Sequence, residues 1–217
     1  MTNFNEKKYI FFLERRKLNL CGCSFYNFKI NLMRANLMFA AVILSLVCLA
    51  SASWKWGPCP AETLQTDFDL SQYLGKWREA ARLESIPFET GDCVYADYSL
   101  KEDGMVRVEN TEILPDGEIN NAIGKAYQTK KNPAYLRVSF FWIFYGDYKV
   151  IETDYSDYSV VYSCSNWGLA HYQYAWILTR NNNFKAGDSD QIATLEKLGI
   201  DRSELIIHDL NECPTEP

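Results

Sequence analysis

From Gly75 onward the chain breaks into short runs in which apolar and polar residues alternate, separated by residues that favour turns. The runs lie at about 75–85, 93–101, 105–113, 118–128, 134–142, 147–155, 157–165 and 172–180. In the third, Val106, Val108 and Asn110 fall on one face, with Arg107, Glu109 and Thr111 on the other. In the fifth, Leu136, Val138, Phe140 and Trp142 oppose Arg137 and Ser139. A period of two marks strands with one buried and one wet face. Glu102-Asp103-Gly104 and Pro115-Asp116-Gly117 supply the positive φ angles of tight hairpins, so neighbouring runs are antiparallel. The expected fold is all-β: an eight-stranded antiparallel up-and-down barrel.

After Arg180 the period changes. Ile192, Leu195 and Leu198, following Asp188 and Asp190 and ending at Gly199, predict one C-terminal α-helix packed outside the barrel. Residues 205–210 could add a strand beyond it. Aromatic residues make up 15% of the chain, which favours strands and can wall an apolar cavity.

Residues 37–50 form an apolar stretch preceded by Arg34 and followed by Ala50-Ser51-Ala52, the layout of a secretory signal peptide cleaved after Ala52. Fourteen residues are too few to span a bilayer as a helix, which needs about 18–20, so the expected product is secreted, extracellular and not transmembrane. The expected signal peptide is 33–52 and the folded domain 53–217. Residues 1–32 read as an over-long gene model or a long basic leader, since Met33-Arg34 is the more natural start. The polar C-terminus, 211–217, carries no hydrophobic tail of a lipid anchor.

The whole chain has a formal net charge of −6. Removing residues 1–52 takes seven bases and two acids, leaving 15 against 26 and a net charge of −11. Such a surface repels nucleic acid and anionic membranes. Cleavage leaves Cys59, Cys93, Cys164 and Cys213, an even number in an oxidising compartment, so two disulfides are expected. Four cysteines allow three pairings, and spacing does not choose among them.

Asp67-Phe68-Asp69-Leu70-Ser71-Gln72-Tyr73-Leu74-Gly75-Lys76-Trp77 resembles the opening signature of the lipocalins. Thr153-Asp154-Tyr155 at the join of the sixth and seventh runs and Arg180 at the end of the eighth match two further family elements, in order. The resemblance implies that Arg180 packs on Trp77 and ties off the closed end of the barrel. Within the family the chain is similar to the apolipoprotein D-like group. Cys59-Pro60, Phe88-Glu89, Ala96-Asp97-Tyr98-Ser99-Leu100, Val161-Tyr162-Ser163-Cys164 and Ala175-Trp176-Ile177-Leu178 carry that likeness. It implies the pairings Cys59–Cys164 and Cys93–Cys213.

An eight-stranded barrel has room for one small ligand. The resemblance places Tyr98, Asn110 and Trp176 at the ligand pocket, and strand parity adds Val138, Phe140 and Tyr174. Trp176 offers a flat apolar surface and Asn110 an amide for a carbonyl or carboxyl group. The implied guest is a fatty acid, steroid or retinoid. No cofactor is expected, with a bilin as the alternative guest. The run Phe140-Phe141-Trp142-Ile143-Phe144-Tyr145 spans the turn at the open mouth. It is either a lid over the cavity or, at 142–145, a contact for a lipoprotein or receptor. No catalysis is expected: every remaining cysteine has a partner, and no metal-ligand spacing occurs. His171 and His208 lie in no triad pattern and are expected at the surface.

Overall fold

The computed structural model describes residues 54–141 and 143–214. The expected leader, the signal peptide and its cleavage point lie outside the described residues, as does Trp142.

Eight antiparallel strands close a barrel: β2 (Gly75–Leu83), β3 (Asp92–Leu100), β4 (Val106–Ile113), β5 (Ile119–Gln128), β6 (Tyr135–Phe141), β7 (Phe144–Thr153), β8 (Tyr158–Trp167) and β9 (Ala170–Thr179). Each pairs with the next, and β9 returns to β2, from Arg78 opposite Thr179 to Arg82 opposite Trp176, with a register shift between Glu79 and Ala81. Two short strands extend the sheet. β1 (Trp54–Trp56) pairs with β9, and β10 (Leu205–Ile207) pairs with β2. Helix α1 (Leu70–Tyr73) precedes β2 and is capped by Asp69, whose carboxylate accepts from the Ser71 amide. Helix α2 (Gln191–Lys197) follows the barrel.

The expected helix from 188 is shorter than its pattern suggests, because Ala186–Asp188 takes a separate 3-10 turn. The sixth strand starts at Phe144 rather than 147, so the turn after β6 is tight.

Two apolar clusters explain the pattern. One lies inside the barrel and joins Phe68, Tyr73, Trp77, Val108, Val161 and Leu178. The other lies outside it, where Ile192 and Leu195 of α2 pack with Leu83, Val160, Tyr162 and Ile177. β8 and β9 thus bury both faces, and their sequences lose the wet positions that β4 keeps.

Disulfides join Cys59 to Cys164 and Cys93 to Cys213, the pairings the family resemblance implies. Of the two histidines expected at the surface, His171 is buried and His208 is half-buried with its side chain turned inward, 6% exposed. His171 Nδ1 lies 2.9 Å from the Gly57 carbonyl oxygen, under the N-terminal segment that β1 adds to the sheet.

Candidate functional site

The closed end is tied by three sequence elements. Trp77 is fully buried and donates its indole N–H to the Tyr73 carbonyl at 2.8 Å. The Arg180 guanidinium carbon stands 4.2 Å from the centroid of the Trp77 ring. Arg180 Nη2 also donates to the carbonyls of Gln72 (3.2 Å), Tyr73 (3.1 Å) and Leu74 (2.7 Å), which end α1 and have no further helix to bond to. Gly75 has φ +92°, and a Cβ there would sit 3.3 Å from Arg180 Nη1, so both conformation and space call for glycine. At the turn from β7 to β8, Asp154 Oδ1 accepts from the amides of Ser156, Asp157 and Tyr158, and the Tyr155 hydroxyl accepts from the Asp69 amide at 3.0 Å. The turn thereby holds the segment leading into α1.

Above this floor lies a cavity of about 300 Å³ to which all eight barrel strands contribute. Tyr98, Asn110, Val138, Phe140, Tyr174 and Trp176, read from the sequence as pocket residues, all line it. Val94, Ala96, Val106, Val108, Ala126, Leu136 and Leu178 complete an apolar wall. Tyr98, Tyr148 and Tyr73 satisfy one another at the base: the Tyr98 and Tyr148 hydroxyls are 3.0 Å apart, and those of Tyr148 and Tyr73 2.8 Å. Burial pushes the Tyr73 hydroxyl up to about 12 and raises those of Tyr98 and Tyr148 as well, so all three stay protonated.

Among the cavity residues missed in the sequence are two carboxyls, Glu79 and Glu89. Glu79, 2% exposed, sits two positions after Trp77 on the same face of β2. Its Oε1 accepts from Arg82 Nη1 at 2.7 Å and lies 2.9 Å from His208 Nε2. Burial alone would raise this carboxyl, but the bond from His208 and the charge of Arg82 outweigh it and hold it below the ordinary range. Glu89 comes from the loop between β2 and β3. That loop is held by Glu112, whose Oε2 accepts from the amides of Thr90 (3.1 Å) and Gly91 (2.7 Å). A Cβ on Gly91 would fall 2.5 Å from the Ile113 carbonyl oxygen, so only glycine allows this approach. Glu89 Oε2 accepts from Trp176 Nε1 at 2.8 Å. Burial and the nearby charge of Glu79 raise the Glu89 carboxyl well above the usual carboxylate range.

At the open end, Phe140, Phe141 and Phe144 line the rim, yet Phe141 is 74%, Ile143 75% and Phe144 76% exposed. The rim is therefore not a closed lid. Among the described residues no group of three or more His, Cys, Asp and Glu is placed to hold a metal, and no helix is long and apolar enough to cross a membrane.

A closed barrel with a tryptophan–arginine floor and an apolar interior defines a class. The lipocalin-like family profile matches residues 68–209, and the chain belongs to the lipocalin family. It is 38% identical to apolipoprotein D of Cavia porcellus over 186 residues, 82% of this chain and 96% of that one. It is also 38% identical to the outer membrane lipoprotein Blc of Vibrio cholerae over 145 residues, 65% of this chain and 82% of that one. Among solved structures, lobster apocrustacyanin A1 superposes with a TM-score of 0.61 at 24% identity, covering 72% of this chain and 91% of that one, and so shares the fold.

Proposed function

We propose that the protein is a secreted carrier that holds one small hydrophobic molecule, of fatty-acid, steroid or retinoid size, in the barrel cavity and catalyses no reaction. The observation that carries this reading is the apolar cavity of about 300 Å³ enclosed by the barrel strands, with Trp176 in its wall. Two disulfides suit an oxidising compartment, in line with the apolar stretch at 37–50 and the proposed removal of residues 1–52. Titration of the secreted protein with retinol, a steroid and a fatty acid is expected to quench tryptophan fluorescence saturably at one site. Quenching should be lost in Trp176→Ala. Absence of saturable quenching by every one of these would overturn the proposal.

A bilin is the less supported guest. Its propionate carboxylates would meet a wall bearing Glu79, Glu89 and Asp147 but no Lys, Arg or His. The purified protein is expected to be colourless, and an absorbance band in the red would restore the bilin.

The exposed Phe141, Ile143 and Phe144 favour a second role, contact of the mouth with the uncharged surface of a lipoprotein. The protein should float with phosphatidylcholine vesicles, and Phe144→Asp should reduce flotation several-fold. Equal flotation of the two proteins would remove this role.

A further inference from the structure

We propose that the cavity selects a cationic head group: the guest is an amphiphilic amine whose ammonium is held by the carboxyls of Glu79 and Glu89. This deepens the carrier reading and rests on it.

The charge of the wall is one-sided. The ionisable groups of ordinary charge that line the cavity are Glu79, Glu89 and Asp147, and no basic residue joins them. Asp147 is answered by Arg137 and by the Tyr135 hydroxyl. Glu79 is answered by Arg82 and His208. Glu89 accepts from the Trp176 indole N–H and, among the described residues, has no ion pair. With Arg82 already paired to Glu79, a second charged carboxyl in the same desolvated wall needs a further cation beside it. In the empty cavity a proton takes that place. A primary ammonium, with three donors and a full charge, can replace it.

The remaining polar atoms agree with a donor-rich guest. Asn110 Oδ1 is a buried acceptor without a hydrogen-bond partner, and the tyrosine hydroxyls at the floor are occupied with one another. A carboxylate head would bring a like charge to Glu79 and offer no proton to Asn110.

The exchange balances as follows. The ammonium enters charged, Glu89 releases its proton to solvent, and the amine keeps its own. Affinity for an amine therefore rises with pH, by up to tenfold per pH unit while Glu89 is protonated, and levels once Glu89 is ionised. The groups facing Glu89 are Glu79 and Arg82 on β2, Tyr98 on β3 and Tyr174 on β9. His208, with Asp92 3.6 Å from its Nδ1, lies behind Glu79. Tyr98 and Tyr174 are both raised by burial and stay neutral over this range. His208 is the group that needs a control.

The test uses protein secreted by cells expressing the full chain, titrated calorimetrically with decylamine, decanol and decanoate between pH 5.5 and 8.5. At pH 8 decylamine is expected to bind about tenfold or more tightly than decanol, with decanoate weakest, on the scale of a charge-assisted buried hydrogen bond. Its Kd should fall as pH rises, with proton release measured in buffers of different ionisation enthalpy. Glu89→Gln should bring the decylamine-to-decanol ratio to about one and remove the pH dependence, whereas His208→Gln should keep both. Gln has the shape of the protonated acid, and matching thermal melts at pH 5.5 would show that the variant folds. Decanoate binding as tightly as decylamine, or an amine preference that survives Glu89→Gln, overturns the head-group assignment and leaves the carrier reading standing. Failure of all three ligands, of retinol and of the steroid overturns both.

Discussion

Trp77→Ala is expected to lose about 3–5 kcal/mol of stability, the range for deleting a large buried aromatic side chain. For a domain of this size that lowers Tm by roughly 10 °C or more in a thermal melt. The site justifies the upper part of the range. Trp77 is fully buried, its ring centroid is 5.1 Å from that of Tyr73, and Arg180 covers its face. Its removal leaves a hole at the floor that the β-strands, fixed in register on both sides, cannot collapse to fill. Trp77→Phe should cost only about 1 kcal/mol for the lost indole bond, because the Tyr73 carbonyl still accepts from Arg180. Arg180→Met tests the other half of the pair by unbonding the Gln72 and Leu74 carbonyls at the end of α1, while the Tyr73 carbonyl keeps its bond from the Trp77 indole. The double variant Trp77→Ala/Arg180→Met should be less damaged than the sum of the singles by about 1 kcal/mol or more, since the two side chains are in contact. Strict additivity would show that the guanidinium and the indole act independently.

The strands were legible because a half-buried strand writes its geometry into the sequence with period two, and the observed bounds of β2 to β5 differ from the pattern by two residues or fewer. The element missed at the start, β1, has three residues and no room to show a period. The early start of β7 was hidden because Phe140 to Tyr145 contains no turn residue. The chain reverses there with an irregular register between Val138 and Phe141 instead. The apolar wall was also readable by parity. Glu79 was not, although it alternates with Trp77, because nothing local gives a reason to bury a charge. Its justification comes from His208, 129 residues away, and from Arg82 across the bulge in β2. The inward turn of the His208 side chain was missed for the same reason: it depends on where β10 brings the C-terminal segment. Charge pairing across a fold leaves no periodic trace, so the groups that carry the head-group inference appear only once the chain is closed.

That same C-terminal segment makes the Cys93–Cys213 bridge the second large effect. Replacing both residues with serine is expected to cost about 2–5 kcal/mol, and the chain-entropy account for a separation of 120 residues gives about 5 kcal/mol at most. Cys93 holds φ at +53° in the irregular stretch of β3 between Asp92 and Tyr95. A non-glycine residue there carries strain, which serine shares, so the replacement reads the crosslink and not the backbone conformation. The consequence for the cavity separates this bridge from Cys59–Cys164. Residues 208–214 reach the barrel through the His208 amide at the Ala80 carbonyl, the His208 ring at Glu79, the buried Leu210, and the Pro214 carbonyl, which accepts from Arg78 Nη2 at 2.6 Å and from the Tyr95 hydroxyl. Once the covalent tie is gone, these few contacts must hold the tail alone, and each transient release takes His208 from Glu79. The Cys93→Ser/Cys213→Ser protein should therefore show earlier proteolytic cleavage after residue 204 as well as a lower Tm. A stability loss with unchanged protection of that segment would show that the bridge acts on the unfolded chain and not on the wall of the cavity.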